Sequence, residues 1–99
     1  MPFQTVAIIG LGLLGGSVGL AVQRFLPGVH TTGYDASANV RQRAAERRLT
    51  HHICDTVQEA VSDADLVILC VPVGAMAAVG ANIAPFVKHG AVISDVGSS

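Results

Sequence analysis

Three glycines and one carboxylate carry the chemistry that is most legible in this chain. Gly10-Leu11-Gly12-Leu13-Leu14-Gly15 matches G-x-G-x-x-G, and Asp35 follows 20 positions after its last glycine. Gly10 permits a tight strand-to-helix turn, and Gly12 has no side chain to obstruct an approaching pyrophosphate. Gly15 lets the helix pack closely, and Gly16 and Gly19 extend that close approach. The pyrophosphate would sit on the free N–H groups and positive end of the helix, so Leu13 and Leu14 count with the glycines as cofactor-binding positions. Asp35, preceded by Tyr34 at the end of the next strand, would accept hydrogen bonds from ribose hydroxyls. In a chain with 11 glycines the motif alone is weak. Its setting raises it, because it follows a strand pattern, opens a helix pattern and has an acidic partner at the next strand end. The constellation points to dinucleotide binding.

A carboxylate at position 35 repels a 2′-phosphate, and Ala36 rather than an arginine comes next, so NAD is favoured over NADP. Arg41, Arg43, Arg47 and Arg48 make up four of the six basic residues and read as a solvated helix face. Ligands of open α/β sheets bind beyond the carboxyl ends of the strands, which draws two further segments into the site. Val71-Pro72-Val73 would line the ribose and nicotinamide side, with Pro72 suited to a strand end because it has no N–H to donate. Asp95 to Ser99 would lie near the nicotinamide, where Gly97 admits the ring and Ser98 offers a hydroxyl. His51, His52, Cys54 and Asp55 match no standard zinc spacing, and so short a strand is not expected to aim alternate side chains at one ion, so no metal site is expected. His30 and His89 fall in connecting turns.

The elements that must hold these residues can be read from the apolar pattern. Thr5 to Ile9 is a continuous run of the kind found in strands buried on both faces. A helix follows the glycines, with Leu14, Val18, Ala21 or Val22, and Phe25 on its inner side. Thr31 to Tyr34 reads as a second strand. Ser37 caps a helix to about Arg48, with Val40, Ala44 and Leu49 inward. His52 to Cys54 forms a short third strand, and Thr56-x-x-Glu59 is a capping-box pattern opening a brief helix to Val61. Leu66 to Val71 is a fourth strand, Val73 to Ile83 a helix and Ala91 to Ser94 a fifth strand, with a turn or short helix from Pro85. Alternating strands and helices with right-handed crossovers predict an α/β, Rossmann-type open parallel sheet of order 3-2-1-4-5, helices on both faces. The chain stops after strand five, without the sixth strand usual for the fold, and reads as the first part of a longer protein.

Composition closes off other classes. With 51% hydrophobic and 13% charged residues, the chain is unlike a disordered segment. A net charge of −1 gives no field that would draw in a nucleic acid. Val6 to Val22 and Leu66 to Val87 are apolar enough to raise the question of a membrane. Glycines and prolines interrupt both, and no basic residue precedes Arg24, so neither a span nor a signal peptide is expected. Cys54 and Cys70 form no spacing pattern, and a reducing cytoplasm is the expected compartment.

VAIIGLGLLGGSVGLAV, GYD, ADLVILCVPV and VISDVGSS together resemble the N-terminal part of prephenate/arogenate (cyclohexadienyl) dehydrogenases of tyrosine biosynthesis. The resemblance covers nearly all of residues 1–99, and its most specific parts are GLGLLGGS and DVGS. It implies an NAD(P)-dependent oxidative decarboxylation of prephenate or arogenate, with Ser98 matching a serine that assists the chemistry. It also implies a catalytic histidine and a substrate-binding arginine beyond residue 99, and a helical C-terminal domain that supplies the homodimer contact and much of the substrate site. Two other readings stay open at this point: a different NAD(P)-dependent dehydrogenase of the β-hydroxyacid type, and a non-catalytic NAD-sensing module.

Overall fold

A computed structural model describes residues 3–96. The strands are β1 (Thr5–Ile9), β2 (His30–Tyr34), β3 (His52–Ile53), β4 (Leu66–Leu69) and β5 (Val92–Asp95). Between them run the helices α1 (Leu13–Phe25), α2 (Ala38–Glu46), α3 (Val57–Val61) and α4 (Val73–Ile83), the last followed by a 3₁₀ turn at Ala84–Phe86. The sheet order is β3-β2-β1-β4-β5, and every pairing is parallel, as expected.

The unbroken apolar runs fill both faces of the sheet. Val6 and Ile8 of β1 face one core with Leu66 and Ile68 of β4, against Val18 and Val22 of α1 and Val40 and Ala44 of α2. Ala7 and Ile9 face the other with Val67 and Leu69, against Val57, Ala60 and Val61 of α3 and Val79 and Ile83 of α4. Alternate residues of one strand therefore serve opposite layers. β5 is different, because all four of its residues are exposed.

Helix α1 is seated by glycine and not by the leucine stripe. A Cβ at Gly15 would overlap the Gly10 carbonyl oxygen, and one at Gly19 would overlap the Leu49 carbonyl oxygen. Those contacts set the rotation of the helix about its axis. Val18 and Val22 turn inward as expected, but Leu14 is exposed and Phe25, at the last position, is 72% exposed under the Arg24 guanidinium. The sequence pattern gave Leu14 and Phe25 to the inner side because it weighed side-chain size, whereas the close contact is made by residues that have none. Gln23 secures the same junction, its Nε2 donating to the carbonyls of Arg48 (3.0 Å) and Leu49 (2.8 Å).

Several boundaries move by a residue or two. α2 ends at Glu46, short of Arg48, because Arg48 takes a left-handed conformation (φ 53°) that no helix continues. Its start is as expected, the Ser37 hydroxyl accepting from the Val40 N–H. β4 stops at Leu69, where its partner β1 runs out at Ile9.

At the amino ends of the strands Asp65 ties the sheet together. Its carboxylate accepts from the N–H groups of Gln4 (2.7 Å) and Thr5 (2.9 Å) and pairs with Lys88. Lys88 first, then the two backbone N–H groups, lower its pKa from 3.8 to about 2. A carboxylate depressed on folding stabilises the fold above its unfolded pKa and loses that contribution as pH falls towards its folded value. Acid unfolding followed by circular dichroism should therefore show stability falling between about pH 4 and pH 2, and Asp65→Asn should flatten that part of the profile. Gly19→Ala should cost about 1–3 kcal/mol by overpacking against the Leu49 carbonyl, read as a lower midpoint in urea.

Candidate dinucleotide site

The register brings four strand ends to one line. Tyr34, Ile9, Leu69 and Asp95 are paired in that order across β2, β1, β4 and β5. The next residue in each segment is therefore Asp35, Gly10, Cys70 or Val96, a row along the carboxyl edge of the sheet. Gly10 leaves this row with φ of 99°, a conformation that L side chains rarely adopt, and its Cβ position is filled by the Cys70 carbonyl. The turn is thus glycine by geometry.

Beyond the turn the chain enters α1 with Gly12 as its N-cap. Gly12 has no side chain to cap the helix, so the first N–H groups, those of Leu13, Leu14 and Gly15, lack the carbonyl partners that later turns enjoy. Gly12 differs from Gly10 and Gly15 in one telling respect: nothing lies within 4 Å of where its Cβ would be. The fold does not need glycine there. What the missing side chain keeps clear is the space in front of the helix end, where an anion is favoured by the N–H groups and the helix dipole.

Asp35 is held toward that space. Its Oδ2 accepts from the Leu11 N–H (2.8 Å) and its Oδ1 from the Ser37 N–H (2.9 Å). Two backbone donors fix the carboxylate between the glycine turn and the start of α2. Each oxygen keeps a further lone pair, so the carboxylate can still accept from a diol. The Gly10 N–H in turn donates to the Tyr34 carbonyl (2.8 Å), locking the turn to the end of β2.

These groups line one cavity of about 470 Å³. Gly10, Gly12, Tyr34, Asp35, Val71 and Pro72, all expected from the sequence, lie in its wall. Gly15 is buried beneath the turn, and Leu14 and Val73 stand exposed at the starts of α1 and α4. Leu13, 92% exposed, lines a second groove of about 310 Å³ between α1 and α2, which also reaches Gly12. Ser98 lies outside the described residues. Sequence reasoning missed Ile9, Ala36, Val57, Cys70, Val79 and Asn82, which complete the wall. Val79 and Asn82 are three apart on α4 and so share a face, a spacing that could have singled them out. Among the described residues no helix is long and apolar enough to cross a membrane.

Arg41 departs from the solvated role read for it. Its Nη1 donates to the Asp35 carbonyl (2.8 Å), and its guanidinium sits 5.6 Å from the centre of the Tyr34 ring. The charge is folded back over the end of β2, beside the cavity, whereas Arg43 and Arg47 line the α1–α2 groove. Cys70 also lies in the wall, where burial pushes its thiol pKa up.

Residues 18–99 match the family model described as prephenate dehydrogenase, nucleotide-binding domain. The chain belongs to that family. It is 47% identical over 96 residues to the cyclohexadienyl dehydrogenase of Zymomonas mobilis, an alignment covering 97% of this chain and 33% of the relative. The prephenate dehydrogenase of Bacillus subtilis is 31% identical, with 97% of this chain and 26% of the relative covered. The chain thus spans about a third or less of the length of these curated relatives. In fold it is similar to prephenate dehydrogenase from A. aeolicus, solved in complex with hydroxyphenyl propionate and NAD+. That match has a TM-score of 0.88 at 23% identity, covering 99% of this chain and 35% of the other.

In this family member packing requires glycine at positions 10 and 15 and leaves position 12 open. Gly12→Ala should cost no more than about 1 kcal/mol of unfolding free energy, the helix N-cap preference for glycine over alanine, since no packing is disturbed. The same change should weaken dinucleotide binding at least tenfold in calorimetric titration. Equal loss of stability and affinity would place Gly12 with the structural glycines.

Proposed function

We propose that this domain binds NAD and that, in the whole protein, it serves the oxidative decarboxylation of prephenate, arogenate or both. The observation that carries the cofactor reading is the carboxylate of Asp35, fixed by the Leu11 and Ser37 N–H groups in the wall shared with Gly10 and Gly12. Such a carboxylate accepts from a ribose diol and repels a 2′-phosphate, which favours NAD over NADP. The open space before Gly12 and the free N–H groups of Leu13 and Leu14 suit a pyrophosphate. The substrate reading is supported by membership of the family and by the 47% identity to a cyclohexadienyl dehydrogenase.

When bound, NAD supplies the hydride acceptor: hydride leaves the ring carbon that bears the substrate hydroxyl, CO₂ departs, and the ring becomes aromatic. The chain's own part is to hold the cofactor across the carboxyl edge of the sheet, with Val71, Pro72 and Val73 bounding its nicotinamide side. Ser98, three positions after the end of β5, is proposed to assist at the substrate hydroxyl. The resemblance also supports a homodimeric, cytoplasmic enzyme whose catalytic histidine and substrate-binding arginine lie beyond residue 99, with a helical C-terminal domain making the dimer contact.

Asp35→Ala should lower NAD affinity about 10- to 100-fold, the range for losing hydrogen bonds to a charged group, and should narrow the preference over NADP. A preference for NADP in the unaltered protein would overturn the role given to Asp35. Residues 1–99 alone should bind NAD and fail to oxidise prephenate in a spectrophotometric assay of NADH. In the full-length enzyme, Ser98→Ala should lose turnover while keeping NAD affinity, and an unchanged rate would favour a NAD-sensing role for the segment.

A further inference from the structure

β3 is an edge strand, and its irregular ligand spacing and short length predict no metal site. The fold changes that reading. The Cys54 N–H donates to the Gly33 carbonyl (2.8 Å), carrying the ladder one residue past Ile53. His52 and Cys54, two apart in extended chain, therefore project to the same face of the sheet. Helix α3 packs on that face through Val57, Ala60 and Val61. Its first turn is fixed by the Thr56 hydroxyl, which accepts from the Glu59 N–H (3.2 Å). This sets the Glu59 carboxylate opposite the strand. One donor atom each from His52, Cys54 and Glu59 lies within 4.8 Å of the other two, and His52 Nε2 stands 3.8 Å from Glu59 Oε1. His51, one residue earlier, turns the opposite way and accepts from the Thr31 N–H through Nδ1 (3.0 Å).

We propose that His52, Cys54 and Glu59 form a binding site for a borderline-soft divalent cation, zinc foremost. An imidazole, a thiolate and a carboxylate are the three donor types that zinc takes, and three protein ligands leave a fourth position for water. Bonds of about 2.0–2.3 Å in a tetrahedron put donors roughly 3.3–3.8 Å apart. The observed spacing is within about an ångström of that, and His52 and Glu59 are both 59% exposed and free to close it. Their exposure also gives the cation an entry path, while the buried Cys54 anchors the inner end. Charge points the same way, since among the described residues Glu59 pairs with no lysine or arginine. Asp55 adds a second carboxylate next in the chain. On binding, Cys54 Sγ donates a lone pair to the cation and its proton leaves to solvent. The cation then cross-links the two-residue edge strand to α3, the helix whose Val57 lines the dinucleotide cavity.

Cobalt(II) titration of the reduced, metal-free protein tests this. We expect saturation at one cobalt per chain with a near-ultraviolet thiolate-to-cobalt band, displaced by zinc. His52→Gln and Glu59→Gln, both at exposed side chains, should each weaken binding at least tenfold. His89→Gln, at an exposed turn, should leave it unchanged. Cys54→Ala should abolish the band, and the two exposed-site variants decide the matter even where that buried substitution impairs folding. Absence of the thiolate band, or an affinity unchanged in both His52→Gln and Glu59→Gln, would overturn the proposal.

Discussion

The α-carbon of Gly15 rests against the carbonyl of Gly10, and the arrangement of the whole carboxyl edge depends on that contact. A helix carrying any side chain at this position would stand off from the turn that precedes it. With glycine, α1 starts directly beneath the end of β1, so its free N–H groups open beside Gly12. The same closeness draws Leu11 in until its N–H meets Asp35, and it places the Gly10 N–H on the Tyr34 carbonyl. One short contact thus aligns the anion-binding end of the helix with the carboxylate from the neighbouring strand. Binding groups held this way by backbone need little rearrangement when a ligand arrives.

The glycines of the motif divide by what surrounds them. Gly10 is fixed by its positive φ and the Cys70 carbonyl, Gly15 by the Gly10 carbonyl, and Gly19 by the carbonyl of Leu49 on the turn before β3. Their absence of side chains is a requirement of packing. At Gly12 packing requires nothing, and the open space there faces the cavity wall formed with Asp35. A motif usually read as one functional signature is, in this protein, mostly a way of bringing a helix close, with one position that packing leaves open.

Much of this was legible in the sequence because it is local. Continuous apolar runs marked β1 and β4 as strands buried on both faces, and Ser37 and Thr56 marked two helix starts through hydrogen bonds that span three residues. The G-x-G-x-x-G motif and Asp35 could be joined because parallel register makes strand ends coincide. What escaped depends on rotation and register across elements. The inner face of α1 follows from backbone contacts at Gly15 and Gly19 that no hydrophobic period encodes. Arg41 looks like any surface arginine until the start of α2 is placed beside Tyr34. Glu59 meets His52 and Cys54 only because α3 lies across the edge strand at one particular rotation, and Val79 and Asn82 join the cavity through a helix that follows β4. Apart from the three-residue spacing of Val79 and Asn82, these contacts join segments whose separation in sequence carries no signal.

On the proposed reading, NAD is held where the Gly12 space, the first N–H groups of α1 and the Asp35 carboxylate meet. Amide chemical shifts recorded by NMR during titration with NAD test it most directly. The largest changes should fall at Leu11 to Gly15 and at Tyr34 to Ser37, with smaller ones at Val71 and Val79. Shifts concentrated instead on Ser17, Leu20, Arg43 and Arg47, in the groove between α1 and α2, would contradict it.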